Sequence, residues 1–276
     1  MGAGLGLALS AGGYDVTLLV RTERPTPSGV GRSAGESAWR EPLGSAAVVI
    51  VATPDGAITE AATALAGLGV IGNGQVVLHL SGLLDRRALA PLEPAGASLG
   101  SFHPLQAVAD PASAPARLHG AFAALEGDAP AVAAGERLAR AVGMTPVTIT
   151  SAAKPAYHAA AAMASNYVVA LADTARRIAE AGGVPAAMAR DMYLPLMRGT
   201  VENVFERGAA AALTGAIRRG DAGTVAAHLA ALSGADRELD ARLGMEALRL
   251  AVEAGLGAEA AQRVEAALRA PAAGSG

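Results

Sequence analysis

Glycines at positions 2, 4 and 6 open the chain, and the apolar Leu7-Ala8-Leu9 leads from them to Gly12-Gly13 and the β-rich run Val16-Thr17-Leu18-Leu19-Val20. Glycines set one helix length before an apolar strand limit the fold sharply, because that is how a pyrophosphate-binding turn is built. The early glycines of a G-x-G-x-x-G fingerprint permit a tight turn and close backbone approach, and the last lets helix pack on strand. Counting back from Gly13-Tyr14-Asp15-Val16 by a helix of normal length puts the last glycine of such a fingerprint at about Gly2. On that count the first strand and the first two glycines lie upstream of Met1, and the chain is N-terminally truncated. The alternative is that Gly2-Ala3-Gly4-Leu5-Gly6 is a compressed fingerprint or N-terminal coil.

Beyond Gly13, apolar strand-like runs alternate with helical stretches. The strands are expected at Asp15–Val20, Ala47–Ala52, Val76–Leu80, Ser98–Ser101, Phe122–Glu126 and Pro146–Ile149. Helices are expected at Asp55–Ala66, Asp85–Pro91 and Pro130–Val142, and a surface loop at Thr22–Gly35. Such alternation predicts a parallel sheet with right-handed crossovers. After Thr150 no β-like run recurs, and helices are expected at Ala152–Ala181, Pro185–Phe205, Ala222–Leu232, Arg237–Ala254 and Ala258–Leu268, with a frayed tail from Pro271 to Gly276. The fold class is therefore α/β, a Rossmann-type parallel sheet lacking its first strand, followed by an all-helical C-terminal domain. The domains are 1–150, binding NAD(P), and 151–270, for dimerisation and substrate.

At 276 residues the chain has room for two modest domains. With 52% apolar but only 3% aromatic residues, its cores must rest on Ala, Leu and Val at close helix spacings. A net charge of −3 gives no polyanion-binding signature, so nucleic acid is not an expected partner. The absence of Cys excludes disulfides and thiolate chemistry, and the five scattered His show no metal-ligand spacing, so no metal is expected. Leu5–Ala11 lacks the basic flank of a signal peptide. Pro155–Ala172 is uncharged but carries Tyr157, His158, Ser165, Asn166 and Tyr167, which suits a helix buried between protein surfaces better than a membrane span. A cytoplasmic protein is expected.

Candidate site residues gather at strand ends, where doubly wound sheets bind their ligands. Arg21-Thr22 ends the second strand of the unit. An acid there would bind the NAD ribose, whereas Arg receives the extra phosphate of NADP, and Glu23 follows only afterwards. Thr53-Pro54 ends the next strand, and helix amides beyond it can receive cofactor oxygens, with Asp55 expected as a helix N-cap. Ser81-Gly82 follows the fourth strand and would approach the nicotinamide, while His79 inside that strand is expected as a hydrogen-bonded core residue. His103, at the carboxyl edge of the fifth strand and restrained by Pro104, suits proton transfer. On the long helix His158, Ala162, Ser165 and Asn166 fall on one arc, which either lines a site or packs against other helices. Leu213–Asp221 reads as a loop in which Asp221 caps the next helix through Thr224, leaving Arg218 and Arg219 in solvent.

Ser81-Gly82, Gly100–Gln106, Glu126-Gly127-Asp128, Tyr157–Tyr167, Pro195–Asn203 and Leu213–Asp221 together resemble a bacterial family of Rossmann-like oxidoreductases with a helical C-terminal domain of unknown function. That family is similar in architecture to pyrroline-5-carboxylate reductase, to deazaflavin-dependent NADP reductases and to the 6-phosphogluconate dehydrogenase superfamily. The resemblance runs from about Gly2 to Val252 and implies a helical domain that dimerises and an active cleft between the domains. In the dehydrogenase superfamily a helix opening the second domain offers Lys and Asn to the substrate. By that resemblance Asn166 takes the Asn role. Lys154, twelve residues earlier, lies too far along one helix to supply the Lys, leaving His103 or His158 as proton donor.

The expectation is an NADP-dependent oxidoreductase that moves hydride to or from a small carbonyl, imine or hydroxy-acid substrate. His103, His158 and Asn166 would be catalytic, Gly2, Arg21, Thr22, Thr53, Pro54, Ser81 and Gly82 would hold NADP, and Thr214 would orient substrate. The rivals are a non-catalytic dinucleotide-binding sensor or assembly protein, and a chain that binds no cofactor.

Overall fold

The computed structural model describes residues 1–22 and 29–271, so the expectations placed on Glu23 and on the tail beyond Pro271 lie outside it. Packing divides the chain into two compact units, Met1–Asn166 and Tyr167–Gly276.

The first unit contains α1 (Gly2–Ala11), β1 (Thr17–Val20), β2 (Gly31–Ala34), α2 (Arg40–Ser45), β3 (Val48–Val51) and α3 (Ile58–Leu68). Then come β4 (Val76–His79), a 3-10 segment (Arg86–Ala95), β5 (Ser98–Leu105), α4 (Ala114–Leu118), β6 (Phe122–Gly127), α5 (Ala129–Ala141), β7 (Thr145–Thr148) and α6 (Lys154–Ala164). Five strands form one sheet in the order β3-β4-β5-β6-β7, while β1 and β2 make a separate parallel pair. Helix α1 rests on both pieces. A Cβ at Gly2 would lie 2.5 Å from that of Ala52, beyond β3, and one at Gly6 would lie 3.1 Å from the Leu18 side chain of β1.

The structure corrects several of the expected elements. All pairings are parallel except β5–β6, which is antiparallel with Leu105 opposite Phe122. The link between those strands holds only a short helix and a 3-10 turn, and it returns the chain beside the end of β5 instead of crossing the sheet. The stretch Thr22–Gly35 is not all loop, because Gly31–Ala34 pairs with β1 as β2. The helix expected over Ala152–Ala181 breaks at Ser165, whose φ of −124° and ψ of −73° are not helical, giving α6 and α7 (Asn166–Ala181). The helix expected over Pro185–Phe205 splits into α8 (Ala186–Asp191) and α9 (Leu194–Arg207). Pro195, lacking an N–H, sits in the first turn of α9, where no donor is needed.

Two cores form on opposite faces of the main sheet. On one face Leu5, Leu9, Leu78, Phe102, Leu125 and Leu138 pack together beneath α1, α4 and α5. On the other, Val49, Val77 and Leu99 meet Leu43, Ile58 and Leu89. Period-two alternation then decides where polar groups go. Val77 and Leu99 start the second face, and His79, Ser101 and His103 continue it toward the carboxyl ends, with Glu126 directly opposite Ser101 on β6. One strip of the sheet thus turns from apolar to polar along its length.

The second unit is helical throughout its described residues. After α7, α8 and α9 come α10 (Ala209–Ala212), α11 (Gly215–Arg219), α12 (Ala222–Ala231), α13 (Gly234–Glu253) and α14 (Ala258–Arg269). Val225, Leu229, Leu248, Val264 and Leu268 form its core. Asp221 caps α12 through the Thr224 N–H at 3.0 Å, as expected. Arg218 does not stand in solvent: its guanidinium donates to the Ala254 carbonyl at 3.0 Å, satisfying an orphan acceptor at the end of α13. No helix among the described residues is long and apolar enough to cross a membrane.

Candidate active site

The polar strip ends at a turn, Ser81-Gly82, whose every polar atom on Ser81 is engaged. The Ser81 N–H donates to His79 Nδ1 at 3.1 Å. Its hydroxyl donates to Asp55 Oδ2 at 2.7 Å and accepts from the N–H groups of Leu83 and Leu84. Its carbonyl accepts from Lys154 Nζ at 3.2 Å. His79 is fully buried and its Nε2 meets the Asp85 carbonyl at 3.0 Å. With Nδ1 accepting from Ser81, the proton is on Nε2, as a core histidine fixing a turn requires. Burial lowers its pKa, the Asp85 carbonyl opposing. Asp55 is not the expected helix cap: it opens a 3-10 turn, Asp55–Ala57, and its carboxylate holds Ser81 instead.

Gly82 lies against two imidazoles. A Cβ there would come within 2.5 Å of His158 Nδ1 and 2.9 Å of His103 Cε1 and Nε2, so only glycine fits. The two rings stand edge-to-face with centroids 5.7 Å apart. His103 Nδ1 meets the Tyr157 hydroxyl at 2.8 Å. His158 Nδ1 is buried with no hydrogen-bond partner among the described residues. His103 lies within β5, opposite Ala124, because the strand runs to Leu105 and does not stop at Ser101. Since β4 ends opposite Ser101, His103 still projects beyond the end of its parallel neighbour.

Burial, followed by the charges of His158 and Lys154, holds the His103 pKa down at about 4, with Asp55 pulling the other way. Burial also raises that of Tyr157. Near neutral pH the pair is therefore a neutral imidazole and a protonated phenol. In the tautomer in which Nδ1 accepts from the phenol, the His103 proton is on Nε2, the nitrogen nearest Gly82.

Beneath this cluster Lys154 is completely buried, and its Nζ also donates to Ser101 Oγ at 2.8 Å. Ser101 passes a hydrogen bond to Glu126 Oε2 at 3.3 Å, the Arg86 N–H donates to the same oxygen, and Ser151 Oγ donates to Oε1 at 2.8 Å. Sequence reasoning missed Tyr157, Lys154, Ser101, Glu126 and Ser151 as members of one cluster. It weighed Lys154 only by its distance from Asn166 along one helix, whereas the lysine works across the sheet. A signal was available: Lys154 is the only lysine in a chain whose Lys and Arg total 22.

The remaining candidates lie elsewhere. Asn166 is exposed at the first position of α7, and the break at Ser165 removes the continuous helical arc that was to align it with His158. Thr53 and Pro54 are exposed in the turn after β3. Arg21 and Thr22 are exposed just beyond β1, where Arg21 reaches Glu60 Oε1 at 3.5 Å. Gly2 opens α1 in tight packing against Ala52, which is what the last fingerprint glycine does. Thr214 belongs to the second unit, lining a cavity of about 260 Å³ with His228 and Asp240.

Residues 121–246 match the family model described as a domain of unknown function (DUF2520). No curated protein matches the chain by sequence. Among solved structures, the chain is similar to a protein from Thermotoga maritima at 22% identity and a TM-score of 0.69, covering 91% of this chain and 96% of that one. It is also similar to a pyrroline-5-carboxylate reductase from Coxiella burnetii, at 16% identity and a TM-score of 0.56, over 93% and 95% of the two chains. An imine reductase from Myxococcus stipitatus in complex with NADP+ gives 16% identity and a TM-score of 0.55, over 96% of each chain. The chain is thus a Rossmann-like α/β protein with a helical C-terminal region that shares its fold with pyrroline-5-carboxylate and imine reductases, and its residues 121–246 match the domain-of-unknown-function model.

Proposed function

We propose that the protein is an NADP-dependent oxidoreductase acting on a small carbonyl, imine or hydroxy-acid substrate. The observation that carries this reading is the His103–Tyr157–His158 cluster, closed against Gly82 at the carboxyl ends of β4 and β5, the edge where doubly wound sheets bind ligands. The residues fit a dinucleotide on two further grounds. Arg21 is exposed at the strand end that meets the adenosine ribose, and the buried His158 Nδ1 has a hydrogen-bonding position open. The nicotinamide, when bound, supplies or accepts the hydride. In this reading Gly2, Arg21, Thr22, Thr53 and Pro54 hold NADP, and Ser81-Gly82 supports its reacting end. His103 presents its Nε2–H to the substrate, and Tyr157 holds the tautomer through Nδ1. His158 takes the second polar contact, while Asn166 orients the substrate.

One further part belongs to this proposal. The exposed apolar side chains of Tyr167, Val169, Met188, Leu194, Leu196 and Phe205, the last 86% exposed, support a homodimer through the helical unit. Such an interface should bury more than about 2,000 Å².

The test is calorimetric binding of NADP and NAD, followed by turnover against a panel of cyclic imines, ketones and hydroxy acids. NADP binding well above NAD, with turnover lost in both His103→Ala and Asn166→Ala variants that fold normally, is the expected result. NADP binding without turnover of any class would favour the sensor alternative, and no binding of either dinucleotide would overturn the proposal.

A further inference from the structure

A fully buried lysine demands explanation, because removing an ammonium from water costs several kcal/mol that its pairing need not return. Lys154 is such a residue, at 0% exposure, in a chain that otherwise uses arginine for every basic side chain. Arginine is not equivalent there: its planar fork needs more room and distributes its donors differently from a compact ammonium. Lys154 Nζ reaches one backbone oxygen, that of Ser81, and one hydroxyl, that of Ser101. Glu126, itself buried, is joined to it through Ser101 rather than directly. The same carboxylate gathers the Arg86 N–H and the Ser151 hydroxyl. The network therefore ties the turn after β4, strand β5, strand β6 and the start of α6 to one point. Lys154 also sits one helical turn before His158 on α6, so anchoring the lysine sets the height of that ring over Gly82.

We propose that Lys154 is a positioning residue, which clamps the Ser81-Gly82 turn against the His103 and His158 rings through its two hydrogen bonds, with Glu126 supplying the countercharge through Ser101. Its burial keeps it from touching substrate, so it acts through these groups. This rests on reading the histidine pair as the reacting end, and the experiment reads the histidines directly, without turnover.

The charged and titratable groups around His103 are Lys154, Tyr157 and His158 from α6 and Asp55 from the turn after β3, while Glu126 from β6 and Asp85 act in turn on Lys154. Lys154 is among the causes that lower the His103 pKa. Replacing it by an uncharged side chain should therefore raise the His103 midpoint, by roughly half a pH unit or more. The measurement is a histidine side-chain NMR titration of the full chain in two variants, Lys154→Met and the double variant Lys154→Met with Glu126→Gln. The double variant leaves no unpaired buried charge and keeps the test available if the single variant fails to fold. Hydrogen exchange at the Leu83 and Leu84 amides, both held by Ser81 Oγ, is read in parallel. The expected result is an upward shift at His103 together with loss of protection at those two amides. A folded variant with the His103 midpoint and both amides unchanged would overturn the proposal and leave Lys154 as core filling, whatever the protein's turnover.

Discussion

Two strand ends in the first unit are built in opposite ways. At the carboxyl ends of β4 and β5, Ser81 has every polar atom bonded, Gly82 has no room for a methyl group, and Lys154 and Glu126 are buried beneath. Beyond the carboxyl end of β1 Arg21 stands in solvent, paired with Glu60, and β1 belongs to a two-stranded sheet of its own. The first arrangement holds atoms at fixed positions, as reaction requires. The second offers charge without order, which suits a group whose partner arrives with the ligand. Proton transfer tolerates little misplacement, whereas a phosphate is captured by charge from several geometries.

If that contrast is real, the largest effect should come from Gly82→Ala. The added methyl group would sit 2.5 Å from His158 Nδ1, so one ring or the turn must move. Overpacking of this kind costs roughly 1–3 kcal/mol of stability, and turnover should fall by at least about 100-fold, since a misplacement of about an ångström has that consequence. Denaturant melts and a rate assay measure both. A variant as active as the parent would mean that the histidine cluster is not where the chemistry occurs.

Acid should reveal the same end. The His103 pKa falls from 6.5 to about 4 on folding, so its contribution is complete above about 6.5 and is lost as pH falls to about 4. His79, also lowered, acts in the same direction. The stability lost over that window should reach about 3 kcal/mol, and His103→Gln should flatten the profile. A melting temperature independent of pH from 7 to 4 would count against a buried, neutral pair.

Arg21→Ala sharpens the other side of the contrast. NADP binding should weaken by ~1–3 kcal/mol, the scale of a hydrogen bond to a charged group, while NAD binding stays as it was. Equal losses for both would remove Arg21 from cofactor selection. The smallest effect is on folding: the pair with Glu60 joins side chains 59% and 74% exposed. Its loss should therefore cost no more than about 1 kcal/mol in a thermal melt.

The same contrast explains what the sequence disclosed. The alternation of apolar runs and helices was legible because the central strands β4, β5 and β6 are buried on both faces over most of their length and their composition shows it. Strand β2 was not, since Gly31-Arg32-Ser33-Ala34 has no β-branched residue and is a strand only because β1 lies beside it. The break at Ser165 left no mark in an alanine-rich helix. His103 and Gly82 were singled out as strand-end residues of suitable type, and the structure brings them together. Tyr157 and Lys154 could not be placed by counting along α6, because their partners are more than 50 residues away on neighbouring strands. The antiparallel return of β6, which brings Glu126 opposite Ser101, depends on a short connection whose direction no local pattern specifies.

The most direct test of the central claim uses the chain's five histidines as reporters. Protein labelled with ¹⁵N-histidine is titrated with NADP, and the side-chain resonances are followed individually. The account predicts that His103 and His158 shift with the binding isotherm measured by calorimetry, while His119, next to Gly143 and away from the cluster, does not move. NADP binding that leaves both His103 and His158 unchanged would place the cofactor elsewhere and contradict the account.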